Sequence, residues 1–484
     1  MTVSDETLAK YEMTIGIECH VQLATITKLF SGADNDARDK EPNSVVSPID
    51  YGLPGMLPVL NRKAIDLAIR AGKAMNAEIA KVSRFDRKHY FYPDLPNGYQ
   101  ITQMYYPTIL AGWVDAPLED GTSVKVRIHH AHIETDAGKQ THFADYSLVD
   151  LNRAGTPLIE VVSEPDMHSP QDAKAFATEL YRLMTYAGVT HGDLYHGNMR
   201  FDVNVSVAIK GATELGKRAE VKNLNSFRSV EKAAEYEFHR QVELLENGER
   251  VVQETRGWDD AKQQTSSQRS KEDAQDYRYM PDADIPAVIL TDEEIAEIQA
   301  DVPTLPPAYR EAWQHLGLDR SVTETLLDTQ AYAVLVTDVL QRAGDATGKR
   351  VAHWFASNAG RNEAGESLKV IKDLLPGGFI ELAEMVEKNE LSSTAAKEIF
   401  VILLLEGGMP RKIAEKRNLL QVSDEGAIAA IVDEVLADSA SQQSIQDIRD
   451  GKEKAIGYLV GQIMKKSQGK ANPAMAQKLI REKL

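Results

Sequence analysis

The sequence predicts an α+β fold on three observations. Up to about residue 295, short runs alternate apolar and polar residues with a period of two and stop at Gly, Pro or Asn. Helical spacing interrupts them at "NRKAIDLAIRAGKAMNAEI", "SPQDAKAFATELYRLMTYAG" and "RSVEKAAEYEFHRQVELLENG". Beyond "DVPTLPPAYR" (Asp301 to Arg310), which packs three prolines into five residues, nearly everything has a helical period. Strands gathered ahead of helices, without regular βαβ alternation, are α+β patterning. We place a first domain at 1–299, a helical domain at 300–410 and a helical tail at 411–484, the second boundary falling on the Gly407–Pro410 break in "EGGMPRK".

Bulk composition narrows the class. A chain of 484 residues has room for about three domains, and 43% hydrophobic with 26% charged residues is a globular balance. The longest aliphatic run, "FVILLLEGG", is far short of the ~20 residues that cross a bilayer, so no membrane partner is expected. Asp5 and Glu6 precede any apolar run, which fits neither a secretory signal nor a transit peptide, and a single Cys19 fits a reducing cytoplasm. The net charge of −18 argues against a general polyanion binder.

The strands are justified one by one by parity. In "IGIECHVQL", Ile15, Ile17, Cys19, Val21 and Leu23 share one face while Glu18, His20 and Gln22 share the other. In "VKVRIHHAHIETDAGK" the apolar parity slips near His129, as at a β-bulge, after which His132, Glu134 and Asp136 share the polar face. "PLIEVVSEPD" adds Glu160 and Glu164 to polar positions, "MRFDVNVSVAI" adds Arg200, Asp202, Asn204 and Ser206, and "AEVKNLNS" adds Glu220 and Lys222. If these strands share a sheet, one face gathers many acids with few balancing cations. Like charges opposed across strands cost roughly 0.2–1 kcal/mol per pair, so a bound cation is expected. Carboxylates with one imidazole suit Mg²⁺ or Mn²⁺ better than zinc. A merely solvated face remains the competing reading on these grounds alone.

A phosphate-bearing substrate needs cations, and Lys88 in "DRKHYFYPDLPNGYQ", Arg153 in "DLNRAGTP" and Arg200 are candidates. "AGDATGKR" has the wrong spacing for a P-loop, and no Gly-x-Ser-x-Gly elbow or persuasive Cys-His arrangement is present. In the tail, eight cations face two glutamates between Gly451 and Leu484, a local charge of about +6.

Taken in order, "IGIECHVQL", "YGLPGMLPVLN", "KHYFYPDLPNGYQITQ", "HIETDAGK", "DLNRAGTPLIEVVSEPD", "MRFDVNVSV", "EVKNLNSF" and "YRYMPDADIP" resemble the B-subunit family of aspartyl/glutamyl-tRNA amidotransferases, and "IGYLVGQIMKKSQGKANPAMAQKLI" resembles that family's tail. There is no room for the extra domain of the archaeal relatives. The resemblance implies an antiparallel-sheet cradle with a glutamine-synthetase-like active site, followed by an all-helical domain and a helical tail domain. It implies ATP- and Mg²⁺-dependent amidation of misacylated Glu-tRNA(Gln) or Asp-tRNA(Asn) through an acyl phosphate. Ammonia would come from a partner amidase (glutaminase) chain, with a small third chain completing a heterotrimer. By motif, the metal ligands would be Glu18, His20, Glu134, Glu160 and Asp202, the catalytic residues Lys88 and Glu220, and the substrate or ATP ligands Arg153, Arg200, Asn204 and Lys222. Lys465, Lys466 and Lys470, around Gly469, would meet the tRNA body. The rival readings are a noncatalytic tRNA-binding adaptor and a small-molecule amide ligase.

Overall fold

A computed structural model of the protein describes residues 3–270, 276–358, 374–421, 425–467 and 470–484. The chain divides into two compact units, Met1–Ala308 and Tyr309–Leu484. The first is built on one eight-stranded sheet. In chain order its strands are β1 (Tyr11–Gln22), β2 (Gly112–Pro117), β3 (Ser123–Thr135), β4 (Pro157–Ser163), β5 (Met199–Ile209), β6 (Arg218–Leu224), β7 (Glu254–Asp259) and β8 (Gln264–Ser270). They lie in the order β8-β7-β6-β5-β1-β4-β3-β2. All neighbours run antiparallel except β6 and β7, which are parallel. A parallel neighbour requires a crossover, and a helix α3 (Phe227–Glu246) lies in that connection after α1 (Arg62–Ala74) and α2 (Pro170–Tyr186). The result is a mixed fold with a large, mostly antiparallel sheet.

The register of β1 follows from its inward face. Met13, Ile15, Ile17, Cys19 and Val21 are at most 5% exposed. Fully burying such an aliphatic side chain is worth about 1.5–3 kcal/mol, against roughly 0.2–1 kcal/mol for one like-charged cross-strand pair. The apolar face therefore sets the pairing, and the polar face must accept Glu18 directly opposite Asp202. On the other side of β1, His20 stands opposite Glu160, which in turn stands opposite His132.

The parity slip in β3 is a real irregularity of the sheet. Pairing with β4 shifts between Ile128 and His130, so Val126, Ile128, Ala131 and Ile133 are all buried although their spacing changes. The helices cover the apolar face. Ser169 caps α2 by accepting from the Asp172 amide, Pro170 takes its first turn, and Phe176, Ala177, Leu180 and Met184 are buried. On α3, Glu237 is fully buried, yet it accepts from Arg240, Gln241 and Thr265, and Arg256 of β7 lies 3.1 Å away. That network fastens the helix to the far edge of the sheet.

The second unit is helical. Phe355, Phe379 and Phe400 form one aromatic cluster. The long helix Gln330–Asn358 is broken at Gly344, whose φ of 78° suits a residue without a Cβ. Farther on, Ile428, Val432, Leu459, Ile463, Leu479 and Ile480 make a separate core. Among the described residues no helix is long and apolar enough to cross a membrane.

Candidate active site

Strand pairing brings Glu18, His20, Glu134, Glu160, Asp202 and Glu220 together in two groups on the polar face. His20, Glu134 and Glu160 offer ligand atoms within 4.8 Å of one another, and so do Glu18, Asp202 and Glu220. In the first group, His20 Nε2 is 3.5 Å from Glu134 Oε1 and 3.8 Å from Glu160 Oε2. In the second, Asn204 donates to Glu18 over 3.2 Å, and Lys222 bonds Asp202 at 3.0 Å and Glu220 at 2.8 Å. Both groups offer the hard oxygens that Mg²⁺ or Mn²⁺ prefers, the first with one imidazole added.

The expectation of few balancing cations is corrected. Lys222 sits two residues beyond Glu220 on the same strand face, and His132 Nε2 stands 3.2 Å from Glu160 and 3.6 Å from Glu134. Lys88 enters from outside the sheet, on the short strand Asp86–His89, with its ammonium 5.0 Å from the Tyr277 ring centre. That strand's partner, Tyr99–Thr102, is hitched to the end of β3 by a bond from Gln100 to the Thr135 carbonyl. Arg153 and Arg200 both converge on Asp136, at 2.9 and 3.3 Å. Arg153 also donates to the carbonyls of Ala137 and Gly138.

Electrostatics follow from this packing. Burial, reinforced by Glu160, Glu220 and Asp202 and opposed by Lys222, raises the Glu18 carboxyl above its usual range. Burial also works against ionising Glu160, but His132, His20 and Lys88 more than offset it and hold that carboxyl low. His132 is disfavoured as a cation by burial, yet the adjacent carboxylates of Glu134 and Glu160 lift it to about 9. Lys88 likewise keeps its charge against burial through Glu134, Tyr279 and Glu160. Asp136 does the same for Arg200.

Beside Glu18 opens a cavity of about 390 Å³ lined by Thr14, Gly16, Asn204, Ser206, Lys217 and Arg218 among others. Asn204 is 9% exposed, and its Oδ1 has no hydrogen-bond partner among the described residues. Such a buried acceptor suits a ligand that brings a hydroxyl or amine. Gly216 admits the wall: a Cβ there would sit 2.0 Å from the Val207 carbonyl oxygen.

Three residues of the site are absent from the candidates that the sequence supplies. His132 and Asp136 stand on the correct parity, so for them the signal exists in the strand pattern. Thr255, which donates to Glu220 over 3.0 Å, has none, because β7 reaches β6 only through the crossover. In the tail, Lys466 is paired with Glu434 at 2.9 Å, Lys465 is exposed and Lys470 is half-buried. Gly469 lies outside the described residues.

Comparison with known proteins agrees along the whole chain. Residues 13–296 match the GatB/GatE catalytic domain and residues 336–484 match the GatB domain. A Synechococcus protein named as the B subunit of an aspartyl/glutamyl-tRNA(Asn/Gln) amidotransferase is 42% identical, with all of both chains covered. Proteins of the same name from Lachnospira eligens and Pseudomonas fluorescens are each 43% identical over 98% of this chain and 99% of theirs.

Proposed function

The chain belongs to the family of aspartyl/glutamyl-tRNA(Asn/Gln) amidotransferase B subunits, tRNA-dependent enzymes of the ligase class, and on that premise we propose that the polar sheet face is where a misacylated tRNA is activated and amidated. A carboxylate is a poor electrophile. The side chain carried by Glu-tRNA(Gln) or Asp-tRNA(Asn) would be phosphorylated by ATP, and ammonia from a partner amidase chain would then displace the phosphate. A small third chain would complete the assembly.

The observation that carries this reading is the convergence of two three-ligand groups on neighbouring strands of one register-locked sheet. Their donor chemistry fits Mg²⁺, which when bound supplies charge neutralisation for a phosphoryl group in transfer. The chain's own residues do the rest. His20, Glu134 and Glu160 would hold one cation and Glu18, Asp202 and Glu220 a second, while Lys222 keeps the last two carboxylates turned toward each other. Asn204 Oδ1 and the cavity beside Glu18 would receive the nucleotide, since the pocket is polar and adjoins the carboxylates. Lys88, held charged next to Glu134, would meet the negative charge of the phosphorylated carboxylate. Arg200 and Arg153, fixed on Asp136, would border the same space.

The test is amidation of Glu-tRNA and Asp-tRNA, offered separately with ATP, Mg²⁺ and an ammonia source, by the assembled enzyme. Activity should require both ATP and the divalent ion and vanish in Glu134→Gln. Full activity in that variant would overturn the reading.

A further inference from the structure

Three histidines of β3 that the proposed chemistry does not use stand in a row. His129 Nδ1 lies 2.7 Å from His130 Nδ1, and His130 Nε2 lies 3.2 Å from His132 Nδ1, the last two rings being stacked. The row begins at the exposed His129 and ends at His132, whose side chain is 12% exposed and whose Nε2 reaches Glu160 and Glu134 at 3.2 and 3.6 Å. The bulge makes the row possible. Consecutive residues of a regular strand point to opposite faces, but the register shift between Ile128 and His130 turns His129 and His130 toward each other.

An ionised carboxylate offers only acceptors, so with Glu160 3.2 Å from its Nε2 the His132 ring carries a hydrogen on that nitrogen. Its Nδ1 meets His130 Nε2 whether His132 is neutral or charged, as acceptor in one case and donor in the other. The hydrogens along the row reverse, and the ring orientation stays. We propose that His130, backed by His129, is a positioning residue that fixes the His132 ring, so that His132 holds Glu160 and Glu134 aimed at the cation shared with His20. This inference rests on the metal reading given above. It extends that reading outward through three further side chains, in the way that hydrogen-bonded neighbours orient metal-binding carboxylates.

The probe is Mn²⁺, titrated into the full-length chain and followed by the electron paramagnetic resonance of the free ion, with metal-free thermal unfolding recorded for every variant. His132→Phe should weaken Mn²⁺ binding about 10–100-fold. His130→Leu acts one step farther out and should weaken it about 3–10-fold. His130→Gln keeps an amide near the Nε2 position that can donate or accept, and should return binding to within about twofold of wild type. If His130→Leu binds Mn²⁺ like wild type while His20→Ala does not, the positioning role is wrong and the metal reading stands. Equal weakening by Leu and Gln would likewise overturn the hydrogen-bonded role. If His20→Ala itself binds like wild type, the metal reading is what fails.

Discussion

Lys222 on the sheet and Lys466 on the tail are both paired lysines, and the company they keep separates two regions of the molecule. Lys222 bonds two carboxylates that are 7 and 13% exposed, with Glu18 beside them. Lys466 bonds one glutamate that is 66% exposed. Other tail cations are spent in the same way: Lys452 on Asp447, Arg481 on Glu453 and Lys483 on Asp433. Glu434, Asp447 and Asp433 lie outside the last 34 residues, so these pairs offset half of their +6. Between 425 and 484 there are nine cations and eight acids. Buried convergent charges are costly unless something compensates them, whereas exposed pairs are nearly free to gain or lose. Charge on the sheet face thus calls for a compensating partner, and charge on the tail does not.

Breaking the sheet side of this contrast should have the largest effect. Glu134→Gln or His20→Ala should lower tRNA amidation by more than about a hundredfold, beyond what loss of an outer-shell partner costs. Both residues lie on the polar face, so thermal unfolding should stay within a few degrees; a collapse of the fold would show that the face is structural. Next in size, Lys222→Met should cost about 1–2 kcal/mol in metal-free denaturant unfolding, below the ~3–5 of a fully buried pair because Lys222 keeps 35% of its side chain exposed. Added Mg²⁺ should restore much of that loss, and no restoration would count against a cation there.

The tail predictions are smaller. Replacing Lys465, Lys466 and Lys470 together with Ala should weaken tRNA binding and flatten its salt dependence. Glu434 already occupies Lys466, so the change should be near two phosphate contacts, roughly 1.8 in log–log slope. An unchanged slope across a salt series would remove these lysines from the recognition surface. Smallest of all, Arg481→Ala should shift unfolding by less than about 0.5 kcal/mol, since its pair with Glu453 is exposed.

What was legible in the sequence was local. The alternation of β1, the slip at His129 and the Ser169 cap each reside in a few consecutive residues, and each stands in the structure as the pattern implied. Parity also told which side chains share a face with Glu18, but not which strands adjoin. Glu18 meets Asp202 across 184 positions, and nothing near either residue announces it. Strands β7 and β8 were harder still, because "ETRGWD" and "QTSSQRS" lack apolar alternation at the edge of the sheet. Glu237 shows the same limit for burial: it goes inside because Arg256 and Thr265, from distant strands, join its helix neighbours Arg240 and Gln241 around it.

The bulge at His129 has a consequence for how this gene can change length. Deleting one codon anywhere between Ile15 and Val21 would invert every side chain beyond it, sending His20 or Glu18 into the core and an aliphatic residue to the carboxylates. Strand β3 has one exception. Loss of the His129 codon would leave Ile128, Ala131 and Ile133 in unbroken alternation, with Glu134 still on its own side. The strand can be shortened by a single residue at that point without changing faces, whereas β1 tolerates length changes only in steps of two.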